Sequence, residues 1–248
     1  MKKSESSRSR ERTSDSHVRV RRAYFDCRFG QLNVRTAFPG SGGFDERTTL
    51  LCVHPERASS RVFARWLPVI AHDRSVYAPD LPGCGESDAP ERQPAIADYA
   101  AALGDFASSM HFRQLDVLGC GSGGLIAAEL ALAVPQIVRH LVIVPSAAAG
   151  ADGQAAALHE GVAELLHNGP AAEWITAAVR EYRPAERLAL VKLPTLVLCA
   201  RDEAAEGGRV RQVLRGARSV EVEQRGADLF GAAGQIVAQR LREFLDAR

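Results

Sequence analysis

Apolar positions fall into two kinds of run along the chain. Segments 49–54, 115–120, 140–144 and 193–200 are continuously apolar or nearly so. That is the pattern of strands covered on both faces of a sheet. Between them lie stretches with helical spacing: 63–71, where Phe63, Leu67 and Ile70 share a face, then 96–110 and the run Leu125, Ile126, Glu129, Leu130. Further helical pieces are expected at 155–167, 173–182, 210–214 and 232–244, with a strand at 219–222. Near the start, 18–29 and 31–38 alternate and are split at Gly30, an antiparallel hairpin. The Gly/Pro/Ser cluster 39–43 is a loop. Strands alternating with helices predict the α/β class: a doubly wound, mostly parallel sheet with helices on both faces and right-handed crossovers.

Composition narrows the picture only a little. The chain has 248 residues, enough for one large domain, assigned to 18–248. Residues 1–17 are dense in Ser, Arg, Lys and Glu and read as a disordered, mildly basic tail without the apolar core of a secretory signal. A net charge of +1 provides no general attraction to nucleic acid or to an anionic membrane. No apolar run approaches the ~20 residues of a membrane span. The five cysteines lack C-x-x-C spacing, so neither a disulfide framework nor a metal site is expected. These features imply a cytoplasmic protein that needs no cofactor and binds neither nucleic acid nor membrane.

Two stretches carry the chemistry. Leu115-Asp116-Val117-Leu118-Gly119-Cys120-Gly121-Ser122-Gly123-Gly124 passes from a strand through a glycine-dense turn into a helix. Upstream, Ala78-Pro79-Asp80-Leu81-Pro82-Gly83-Cys84-Gly85-Glu86-Ser87-Asp88 is a strand end followed by a fixed loop. In this order they resemble the nucleophile elbow and the preceding loop of the α/β-hydrolase superfamily, and the resemblance extends over about 18–248. It implies that family's sheet with a small helical cap inserted at about 146–186.

The resemblance also assigns positions. Gly-x-nucleophile-x-Gly, laid on Gly119 and Gly123, puts Gly121 at the nucleophile position, where glycine has no group to attack with. A shifted frame, Cys120-x-Ser122-x-Gly124, would offer Ser122 instead; in the ordinary frame Ser122 supplies only an oxyanion N–H. The family's histidine follows the last strand, yet no histidine occurs after His167, and Asp228 or Ala227 stands there. The family's acid maps to Glu203, beside Asp202. Its "HG" oxyanion loop becomes His54-Pro55-Glu56, with Glu56 N as the second donor. The implied protein is a hydrolase homologue with a degenerate triad, non-catalytic or weakly active, holding a small, mostly hydrophobic molecule between sheet and cap. The alternative is an unconventional hydrolase or lyase that acts on a small ester, amide or carbonyl compound. It would use Ser122 or a water activated by a carboxylate such as Glu203, Asp228 or Glu56. Whether the chain forms a homo-oligomer is open at this level.

Overall fold

A computed structural model of the protein describes residues 18–40, 47–145 and 169–247. The eight strands are β1 (Arg21–Cys27), β2 (Gly30–Ala37), β3 (Arg47–Val53), β4 (Arg74–Pro79), β5 (Leu115–Cys120), β6 (Val138–Val144), β7 (Thr195–Ala200) and β8 (Arg218–Val222). They form one sheet in the order β1-β2-β4-β3-β5-β6-β7-β8. β2 is antiparallel to β1 and to β4, and every other pairing is parallel. The expected class and doubly wound layout are therefore present. The alternating hairpin occupies the edge, and β4 to β7 are buried almost throughout.

Helices cover both faces. On one side lie α2 (Ile96–Ser109), α3 (Ser122–Ala133), α4 (Glu173–Glu181), α5 (Pro184–Leu188) and α6 (Ala204–Val213), packed over Leu51, Val53, Val117, Ile143 and Val197. On the other, α1 (Leu67–Ile70) and α7 (Gly234–Leu245) cover Leu50, Cys52, Leu118, Val142 and Leu198. Trp66 joins these two helices by donating Nε1–H to the Gly234 carbonyl at 2.9 Å.

One expected helix differs. The segment 63–71 divides into a 3-10 turn, Ser60–Phe63, and the single turn α1. Pro68, at the start of α1, has no N–H for a bond back into the preceding turn, so the helix has to begin afresh there. The predicted tail 1–17 and the predicted helix 155–167 lie outside the described residues. The described part of the expected cap, α4 and α5, packs against α2 and α3 through Ile175, Ala178 and Leu188.

Candidate functional site

β5 ends at Cys120, and α3 begins at Ser122. Between them Gly121 has φ 54° and ψ −126°. A positive φ is inexpensive for glycine and strained for other residues. The turn is tight enough that Gly123 lies against the carbonyl oxygens of Val53 and His54 at the end of β3, where a Cβ would collide with backbone. Gly124 N donates to Gly121 O at 2.9 Å and closes the first turn of α3. Strand, tight turn and helix thus follow one another, with Gly121 in the turn and Ser122 as the first helical residue.

The loop after β3 meets this turn. Ser122 Oγ accepts the Glu56 N–H at 2.7 Å, and the Ser122 N–H donates to Glu56 Oε2 at 3.2 Å. Each residue's side chain satisfies the other's backbone, an exchange equivalent to a capping box across two segments. The Glu56 carboxylate also complements the positive end of α3. Ser122 is buried and Glu56 half-buried.

His54 is fully buried and fixed in one tautomer. Its Nε2 accepts the Leu81 N–H at 2.9 Å, so Nδ1 carries the proton and donates to Pro55 O at 2.7 Å. The ring therefore ties the β3 loop to the loop after β4 and has no lone pair left to act as a base. Asp80 supports the same junction. It accepts from Ser60 N (2.7 Å), Asn33 Nδ2 (2.8 Å) and Glu86 N (2.9 Å). Burial alone would raise its carboxyl, but the Glu86, Ser60 and Asn33 donors bring it below its ordinary value. Asp80 was visible only as one letter of the loop motif. Its role as a hub depends on partners from three separate segments.

On the far side of the elbow, Glu203 follows β7. Burial, reinforced by neighbouring Asp202, raises its carboxyl to about 7. Its Oε2 is buried and has no hydrogen-bond partner among the described residues, and its Oε1 lies against Gly226. Asp202 is exposed and accepts the Gly226 N–H at 2.9 Å, a structural cap on the turn after β8. Asp228 lies in that turn and is exposed. Cys120, beneath the apex, is pushed up to about 12 by burial and then by Glu203 and Glu56, so it remains an inert thiol. The structure therefore brings Gly121, Ser122, Glu56, His54 and Glu203 to one end of the sheet and leaves Asp228 facing solvent.

Sequence reasoning missed one anchor. Glu129, on α3 and nearly buried, receives Arg187 Nε at 2.6 Å and Nη2 at 2.7 Å, and the Tyr182 hydroxyl at 2.7 Å. A polar residue inside an otherwise apolar helix face was the available signal. Among the described residues, no group of three or more His, Cys, Asp or Glu is arranged to hold a metal, and no helix is long and apolar enough to cross a membrane. A groove of about 750 Å³ opens beside the start of β7, at the opposite end of the sheet from the elbow.

Residues 48–179, just over half of the chain, match the family model described as the alpha/beta hydrolase fold. The chain belongs to this family. A curated relative of this alpha/beta hydrolase is 2-hydroxymuconate semialdehyde hydrolase of Pseudomonas sp., 33% identical over 122 residues, which are 46% of this chain and 41% of that enzyme. The chain spans less than half the length of the curated relatives it matches. Among solved structures, a hydrolase from Pseudomonas aeruginosa superposes with a TM-score of 0.76 at 19% identity, covering 91% of this chain and 98% of that one. A serine-to-glycine mutant of an N-acyl homoserine lactonase, complexed with N-hexanoyl homoserine lactone, gives 0.71 at 19% identity, covering 92% and 100%. Likeness at that identity establishes the fold and leaves the chemistry to the site.

Proposed function

We propose that this alpha/beta hydrolase homologue has a degenerate triad and holds a small, mostly hydrophobic molecule at the elbow end of its sheet without cleaving it by acyl transfer. One observation carries the reading: the reciprocal Glu56–Ser122 hydrogen bonds use both backbone donors that the family aims at an oxyanion. A carboxylate beside those donors repels the negative charge they would otherwise stabilise. Gly121 supplies no nucleophile, His54 is locked as a structural neutral ring, and no histidine follows residue 167. Apolar clefts at the C-terminal ends of parallel strands are the usual ligand sites of such sheets. The lactonase mutant complexed with an acyl lactone is a precedent on a related fold for ligand binding with a glycine in place of a serine.

The test pairs thermal shift with product analysis over a panel of acyl lactones and short esters. A saturable rise in melting temperature without product formation is the expected result. Turnover above the buffer background would overturn it.

Glu203 motivates a second reading, hydrolysis by an activated water. A carboxyl near 7 with an unpartnered buried oxygen suits a general base. Any turnover that Glu203→Gln abolishes, with the fold intact, would select this reading over the first.

A further inference from the structure

The edge hairpin carries an arrangement that the elbow chemistry does not use. Arg22 on β1 and Arg35 on β2 are direct cross-strand partners, so their side chains leave the same face of the sheet. Two like charges placed opposite each other destabilise a hairpin unless something between them is negative. Arg61, from the 3-10 turn Ser60–Phe63, reaches the same place. Glu86, on the loop after β4, is the anion now held there. It accepts from Arg22 Nη1 at 2.8 and 3.0 Å, from Arg61 Nη2 at 3.4 Å and from the Tyr24 hydroxyl at 3.2 Å. Among the described residues Arg35 has no ion pair, and its buried Nε has no hydrogen-bond partner there. Asp80 is nearby, but its oxygens already accept from Asn33, Ser60 and Glu86. Burial pushes the Arg35 guanidinium down, and Arg61 and Arg22 add to that shift against the opposing pull of Asp80.

We propose that Arg22, Arg35 and Arg61 form a binding site for a phosphate group, with the Glu86 carboxylate as the internal anion that the phosphate displaces. Arg22 and Arg61 meet at Glu86 and Arg35 leaves the same sheet face opposite Arg22, so together they offer more donors than a single carboxylate satisfies, a set suited to the several acceptor oxygens of a phosphate. A dianion would compete for Arg22 and Arg61 and give Arg35 Nε an acceptor. The Glu86 side chain is free to leave because the loop is held by other bonds: Glu86 N to Asp80, and the Ser87 hydroxyl to Asp80 O at 2.7 Å. The site lies toward the elbow end of the sheet, since Arg35 pairs with Ala78 near the end of β4. It is three strands away from β5, roughly 14 Å at the usual strand spacing, so its occupancy is separable from that of the elbow.

The experiment is a titration of the whole protein with inorganic phosphate at pH 8 and low salt, followed by calorimetry and by the arginine Nε–Hε NMR resonances. The site predicts saturable binding with a shift of the Arg35 Nε–Hε signal. Glu86→Gln removes the internal competitor and should tighten binding several-fold. Arg35→Met should weaken it about tenfold or more, the worth of one charge-assisted hydrogen bond. Arg22→Met changes an exposed residue and should weaken binding in the same direction, even if Arg35→Met fails to fold. Methyl phosphate beside inorganic phosphate separates a site for phosphate esters from one for the free ion. Absence of saturable binding, or weaker binding in Glu86→Gln, would overturn the proposal.

Discussion

At the residue scale, the site is defined by what its side chains already do. Gly121 occupies φ 54°, a conformation in which serine is strained. Gly121→Ser should therefore lower stability by about 1–2 kcal/mol in urea denaturation. It should also fail to create an acylating enzyme, because no base follows and the donors are engaged. Glu203 is predicted to be costly when ionised. Its folded value, about 7, lies above the unfolded carboxyl range, so the folded state binds the extra proton between about 4.5 and 7. Stability should fall as pH rises through that window. Glu203→Gln should gain about 1–2 kcal/mol at pH 8, allowing for partial solvent exposure, and little at pH 5. Paired melts at the two pH values check this. Gly121 between Cys120 and Ser122, and the lack of a histidine after His167, were legible in the sequence, since each is a matter of residue identity. The Glu56–Ser122 exchange was not, because it depends on a rotamer and on two loops 66 residues apart meeting within hydrogen-bond distance.

At the scale of elements, the close packing of α3 against β3 and the clamp on α4 and α5 hold the frame. Gly123→Ala would place a methyl against the Val53 and His54 carbonyls, which are backbone and cannot move aside. We expect a loss of more than about 3 kcal/mol, read as a large drop in melting temperature. Glu129 joins α3 to Arg187 on α5 and Tyr182 after α4. Arg187 in the first place, then Tyr182, holds its carboxyl below the ordinary value against the effect of burial. Its stabilisation is therefore present above the unfolded carboxyl value and fades as pH falls through the folded one. Glu129→Gln should cost about 1–3 kcal/mol at pH 7 and progressively less in acid. Strand positions were legible because buried parallel strands are unbroken apolar runs. The division of 63–71 at Pro68 was not, because its apolar spacing continues across a break in the hydrogen bonding.

At the scale of the whole molecule, the alpha/beta hydrolase sheet, its helical layers and the turn into α3 are present, Gly121 stands in that turn, and the Glu56 and Ser122 N–H groups are bonded to each other's side chains. Scaffold and chemistry separate because they draw on different residues. The fold needs glycines at the turn and apolar strands beneath it, whereas acyl transfer needs one hydroxyl, one imidazole and two free N–H groups. The most direct test is intact mass after treatment with a small fluorophosphonate, wild type beside Ser122→Ala. The account predicts no adduct on either folded protein. A single stoichiometric adduct on the wild type that disappears in Ser122→Ala would make Ser122 an activated nucleophile and contradict it.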